Sequence, residues 1–197
     1  MRILIIGNGG REHALAHALA KSPSVESIYA TRPNAGMETC CKPVDVAPTD
    51  VDRILLTAND LAIDLVVVGP EAPLVLGICD MLRAHGIPAF GPSKKAAQLE
   101  GSKAFAKDIM AAAGVPTAEY GAFTDAQSAI EFVKQHNRPM VIKADGLAAG
   151  KGVIVAESVS ESLQAIENMF QGSFGDAGHR IVVEEKLSGP EVSIIAM

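Results

Sequence analysis

The sequence predicts an α/β chain: a doubly wound parallel-sheet domain, then a compact β-α-β-β-α-β unit. Two observations carry this. Short β-branched runs alternate with helix-spaced segments through the first hundred residues. Beyond them, the stretch V-I-K-A-D-G-L-A-A-G-K-G-V-I-V, Val141 to Val155, sets two apolar strands around a glycine loop.

Arg2–Ile6 is a continuous apolar run suited to a buried parallel strand. Gly7-Asn8-Gly9-Gly10-Arg11-Glu12 turns the chain into the helix-spaced H-A-L-A-H-A-L-A-K. Ser27–Ala30 is a second strand, and Arg32-Pro33-Asn34-Ala35-Gly36 is a turn by composition. A third strand is expected at Val44–Ala47. Thr49-Asp50 caps a helix through Asn59. Ala62–Gly69 reads as the central strand, Leu74–His85 as one helix closed by Gly86, and Ile87–Phe90 as a last short strand. Lys94–Leu99 is a short helix, and Ser102 caps a longer one over Lys103–Ala113.

In the second unit, Ala118–Phe123 is a strand, and Thr124-Asp125-Ala126-Gln127 has the form of a capping box. It opens a helix over Ala126–Gln135. The glycine hairpin follows, and Ser158 to Glu161 is a second capping box for a helix reaching about Phe170. Ile181–Leu187 is a strand, Ser188-Gly189-Pro190 a turn, and Glu191–Ile195 the start of a new strand. Such a strand has no partner after it, so the chain reads as a fragment.

Composition narrows the function. A 48% hydrophobic content supports a core, while a net charge of −6 gives no basic footprint for nucleic acid. Three cysteines without C-x-x-C spacing argue against a metal or disulfide framework and fit a reducing cytoplasm. The apolar segment Leu61–Leu82 is broken by Asp64, Pro70, Glu71 and Pro73, so no membrane span is expected. His13 and His17 lie one turn apart without H-E-x-x-H order, and read as a polar helix stripe.

The glycine loop carries the strongest chemical signal. Gly146, Gly150 and Gly152 let backbone approach a ligand, and Lys143 and Lys151 add point charges for phosphate. It is not a P-loop: Gly146 and Gly150 are one residue too close, and Val153-Ile154-Val155 follows where a helix should start. A lid over a polyphosphate is the reading it supports. Lys103 sits against the dipole at its helix N-terminus, a cost that a bound anion would relieve.

At the amino terminus, Gly9, Gly10 and Arg11 form a strand–turn–helix anion site. The dinucleotide fingerprint is only partly met, because Glu12 replaces its third glycine; an NADP-binding oxidoreductase, with Arg32 at the second strand's end, stays as a rival. Glu71 follows the central strand. It reads either as a ligand for sugar hydroxyls or as a helix-start acid. Glu184 and Glu191 read either as nucleotide contacts or as solvated strand ends.

Together these residues resemble the phosphoribosylamine–glycine ligase (glycinamide ribonucleotide synthetase) family of ATP-grasp enzymes. The resemblance rests on I-G-N-G-G-R-E-H-A-L, V-G-P-E-A-P-L, F-G-P-S, Q-L-E-G-S-K-A-F, I-K-A-D-G-L-A-A-G-K-G-V and F-G-D-A-G-H-R-I-V-V-E-E, in order along the whole chain. One departure is visible: the family pattern P-G-N-x-G is R-P-N-A-G here, at Arg32 to Gly36. The resemblance implies a substrate-side domain at 1–101, a linker helix and strand at 102–122, an ATP-grasp lid at 123–188 and, at 189–197, the truncated start of the large ATP-grasp domain. It implies purine-biosynthetic chemistry, joining glycine to 5-phosphoribosylamine through glycyl phosphate, with ATP and Mg²⁺ or Mn²⁺. By analogy Lys103, Lys143, Gly146, Gly150, Lys151 and Gly152 hold phosphates. Glu184, Lys186, Leu187 and Glu191 hold adenine and ribose, while Gly9, Gly10, Arg11 and Glu71 serve phosphoribosylamine. No metal ligand is expected in this chain, which alone should turn over weakly or not at all. Another ATP-grasp carboxylate–amine ligase is the nearest alternative.

Overall fold

The computed structural model describes residues 1–148, 152–173 and 179–194. The chain divides into two compact units, Met1–Gly101 and Ser102–Met197. Among the described residues, no helix is long and apolar enough to cross a membrane.

The first unit is a five-stranded parallel sheet of β1 (Arg2–Ile6), β2 (Ser27–Thr31), β3 (Lys42–Val44), β4 (Leu65–Val68) and β5 (Ala89–Phe90). The order β3-β2-β1-β4-β5 reverses direction between β1 and β4, the point where open α/β sheets bind ligands. Side chains alternate across a strand, so β1 feeds two cores. Leu4 and Ile6 pack with Val66, Ile54 and Leu82 on one face, and Ile3 and Ile5 with Ile28, Ala30 and Ala16 on the other. Helices α1 (Gly10–Leu19) and α2 (Val51–Asp60) cover these faces, and the Asp50 carboxylate caps α2 through the Arg53 N–H.

Two expectations need correction here. The third strand is Lys42–Val44, not Val44–Ala47; only these residues pair with β2, while Val46 turns inward to the core. The helix expected over Leu74–His85 is two helices, α3 (Glu71–Leu76) and α4 (Ile78–Ala84). Gly77 separates them at φ +97, a left-handed conformation open to glycine. Helix α5 (Lys94–Gly101) closes the unit.

The second unit has the order α6 (Lys103–Ala112), β6 (Tyr120–Phe123), α7 (Ala126–His136), β7 (Met140–Ala144), β8 (Val153–Val155), α8 (Val159–Asn168) and β9 (Ile181–Glu185). Its strands form one antiparallel sheet, β6-β9-β7-β8. Ile142, Ile181 and Val183 bury one face against Ala129 and Val133 of α7 and Ile166 of α8. Asp125, rather than Thr124, caps α7 by accepting from the Ser128 N–H. Ser158 caps α8, but Glu161 reaches back to the Glu157 N–H instead of completing the box on Ser158.

Residues 191–194 form no strand, contrary to expectation. A strand is stable only when its backbone groups pair. Val192 and Ile194 lie exposed there, with no ladder beside them among the described residues.

The α3–α4 break gives a test. A Cβ at Gly77 would meet only the flexible Lys94 side chain, so backbone strain dominates. Gly77→Ala is expected to destabilise by more than about 1 kcal/mol, read as a lower urea midpoint at unchanged slope. An unchanged midpoint would show that the turn tolerates an L side chain.

Candidate functional site

The glycine turn after β1 is closed around a carboxylate. Glu12, buried in the first turn of α1, accepts from the Gly9 N–H at 2.7 Å and the Arg11 Nε–H at 2.8 Å. A Cβ on Gly7, Gly9 or Gly69 would strike its side chain. The glycines therefore make room for Glu12. This corrects the expectation of free turn N–H groups: Gly9 serves Glu12, and Gly7 donates to Thr31 Oγ1 at 2.8 Å. A dinucleotide pyrophosphate would need the place that this carboxylate fills. Arg32, proposed for an NADP phosphate, instead pairs with Asp45 at 2.9 Å. Arg32 lies at φ +43 before Pro33, and Asn34 still ties this loop to the turn by donating to the Asn8 carbonyl.

Arg11 has its Nε on Glu12 and an amino group 3.8 Å from Glu71. Of the four expected substrate-side residues, Arg11 and Glu71 line one cavity of about 450 Å³ with Gly69, Leu74, Pro92 and Glu100, and Gly9 and Gly10 do not. That volume suits a small molecule. Glu71 is also the first residue of α3, so its two readings coexist. Its ion pair with Arg11 is half exposed, and such pairs are worth under about 1 kcal/mol. An incoming anion can displace it cheaply.

In the second unit, Glu184 is not the solvated strand end that its sequence context allows. It lies in the central strand β9 at 6% exposure. Val141 stands opposite it, so Lys143, two residues along β7, is its diagonal neighbour on the same face. Lys143 Nζ binds Glu184 Oε1, and Lys107 Nζ lies 2.6 Å from Oε2. Burial alone would raise the Glu184 carboxyl; the two ammonium groups more than offset this and hold it below its ordinary value.

Lys103 Nζ donates to the Gly146 carbonyl at 2.9 Å, at the start of the glycine loop. The anion that relieves the α6 N-terminus belongs to the protein: Asp145 accepts from the Ala104 N–H at 3.1 Å and from Ser102 Oγ. Arg180 Nε is 3.7 Å from the same carboxylate. Across the loop, the Ala144 N–H donates to the Gly152 carbonyl, and a Cβ on Gly152 would lie 2.6 Å from that of Ala148. Only glycine fits there. Gly150 and Lys151 lie outside the described residues.

The remaining expected contacts are more dispersed. Lys186 Nζ pairs with Glu157 at 2.6 Å, and Leu187 and Glu191 are exposed beyond β9. His13 and His17 join no metal site: among the described residues, no group of three His, Cys, Asp or Glu side chains could hold a metal ion. Burial and the adjacent Cys40 push the Cys41 thiol up to about 12, which keeps it protonated and inert.

Sequence reasoning missed Lys107, Asp145 and the inward turn of Glu12. Lys107 had a signal, since it follows Lys103 by four residues and shares its helix face. Asp145 had the local D-G turn but nothing to point it at α6.

Fold and site define an ATP-grasp protein, in which Lys103 reaches the glycine loop from α6 and Lys143 stands on the strand that leads into it. Residues 1–100 match the family model of phosphoribosylglycinamide synthetase, N domain, and residues 101–197 that of phosphoribosylglycinamide synthetase, ATP-grasp (A) domain. The chain belongs to the phosphoribosylglycinamide synthetase family. It is 55% identical over 200 residues to the phosphoribosylamine–glycine ligase of Yersinia pestis, covering 100% of this chain and 47% of that protein. The crystal structure of phosphoribosylamine–glycine ligase from Thermotoga maritima superposes with a TM-score of 0.78 at 31% identity, over 96% of this chain and 45% of that one. Biotin carboxylase from Campylobacter jejuni shares the fold at 22% identity and a TM-score of 0.73, over 95% of this chain and 45% of that one. The chain thus spans under half the length of the relatives it matches.

The Glu184 cluster predicts an acid dependence. Its folded carboxyl titrates below the ordinary 4.5, so its stabilisation is present above that pH and lost as pH falls through the lower folded value. Urea midpoints of the chain and of Glu184→Gln should therefore differ at pH 7 and converge as the pH is lowered progressively below 4.5. A gap that stays constant would contradict the ion cluster.

Proposed function

We propose that this chain carries the substrate-side domain and the nucleotide lid of an ATP-dependent carbon–nitrogen ligase. In this reading, the ligase joins glycine to 5-phosphoribosylamine in purine biosynthesis. The relatives' name supports the substrates. The observation that carries the nucleotide side is that Lys103 reaches the Gly146 carbonyl from α6, while Lys143 stands on β7, the strand that leads into the same glycine loop.

A carboxylate is a poor electrophile. Glycine's carboxylate oxygen attacks the γ-phosphorus of ATP, ADP leaves, and glycyl phosphate forms. The amine of 5-phosphoribosylamine then attacks the acyl carbon, expelling phosphate and losing a proton to give glycinamide ribonucleotide. The protein's contribution is positioning and charge stabilisation. Lys103 and Lys143 steady the phosphates, with Gly146, Gly150, Lys151 and Gly152 closing over them. Glu184, the Lys186–Leu187 backbone and Glu191 hold adenine and ribose. Arg11 takes the sugar phosphate in the cavity that Glu71 also lines; Gly10 starts the helix that carries Arg11, and Gly9 acts through Glu12, which holds the Arg11 Nε. Residues 102–122 link the substrate-side domain to the lid at 123–188, and 189–197 begin the large domain. Because the described residues do not fit a divalent metal, no step here is routed through Mg²⁺ or Mn²⁺.

Calorimetry with a non-hydrolysable ATP analogue and with NADPH separates this reading from the oxidoreductase. The analogue alone should bind, and Lys143→Met should weaken it about tenfold or more, as loss of a charge-assisted contact does. Binding of NADPH instead would overturn the proposal. ATP-dependent phosphate release by a full-length ligase that contains these residues, stimulated by glycine and not by other amino acids, separates it from another ATP-grasp ligase.

A further inference from the structure

Lys107 is buried, charged and unused by the chemistry above. Its side chain is 11% exposed, that of Glu184 7% and that of Lys143 27%. An ammonium has three N–H donors. Lys107 Nζ donates to Thr117 Oγ1 at 2.7 Å and to the Ala118 carbonyl at 3.4 Å, and forms an ion pair with Glu184 Oε2 at 2.6 Å. It is therefore fixed from three sides, whereas Lys143 is the more accessible partner of the same carboxylate.

We propose that Lys107 is a positioning residue of the nucleotide site: it holds Glu184 and supplies the counter-charge that frees Lys143 to move onto a phosphate. The inference rests on the reading of the β7–β8 hairpin as a nucleotide lid. Among the described residues, the cluster contains two ammonium groups and one carboxylate. When Lys143 leaves, Lys107 and Glu184 remain as a neutral buried pair. Without Lys107, the departure of Lys143 would strand a buried carboxylate, and an unpaired buried charge is strongly unfavourable. Lys143 would then stay on Glu184 and the phosphate would lose its partner.

The test is a double-mutant cycle on the full chain, read as the dissociation constant of a non-hydrolysable ATP analogue. Lys107→Met should weaken binding about tenfold, within the coupling that contacting residues show. Lys107→Arg, which keeps the charge, should restore most of it. In a Glu184→Gln background the carboxamide needs no counter-charge, so Lys107→Met should cost little there. Should Lys107→Met melt below the assay temperature, Lys107→Gln takes its place, keeping a donor and dropping the charge. Equal losses in both backgrounds, or an arginine variant as weak as the methionine one, would overturn the proposal. Failure of the unmutated chain to bind the analogue would instead bring down the lid reading and this inference with it.

Discussion

A carboxylate in an inner strand of the antiparallel sheet fixes the arrangement of everything around it. Glu184 has nowhere to find water, and a buried charge must be answered by nearby charges and hydrogen bonds. The answer comes from two elements at once, α6 through Lys107 and β7 through Lys143. The cluster is thus a structural joint and also a store of positive charge beside the glycine loop. Asp145 repeats the pattern on a smaller scale, joining the start of that loop to the N-terminus of α6.

The first unit solves a related problem differently. Its glycines at 7, 9 and 69 do not open the turn for a ligand; they admit the protein's own carboxylate, Glu12. Glu12 takes one turn N–H and aims Arg11, whose amino group reaches toward Glu71 in the cavity. A glycine-rich turn that resembles a dinucleotide site is thereby committed to holding an arginine instead. The volume is filled from within the chain, which leaves Arg11 as the cation presented to the cavity.

Much of this fold was legible because its signals are local. Apolar strand runs, the Asp50, Ser102 and Ser158 caps, and the hairpin around the glycine loop all act within a few residues. The misreadings have a common cause. The helix expected through Leu74–His85 breaks at Gly77, where a glycine that periodicity tolerates adopts a left-handed turn. The strand expected after Pro190 requires a ladder that no neighbouring segment among the described residues supplies. Lys103, Lys143 and Arg11 were identifiable as cations beside glycines. Glu184 looked like a strand-end acid, because only the antiparallel order β6-β9-β7 places it in the sheet interior. The choice of Lys107 as its partner is likewise a product of packing, set by the approach of α6 to β9.

The most direct measurement is a crystal structure with a non-hydrolysable ATP analogue bound. On this reading, Lys143 Nζ lies on a phosphate oxygen while Lys107 remains on Glu184. Phosphates seated away from the β7–β8 hairpin, or Lys143 still on Glu184 beside a bound nucleotide, would contradict it.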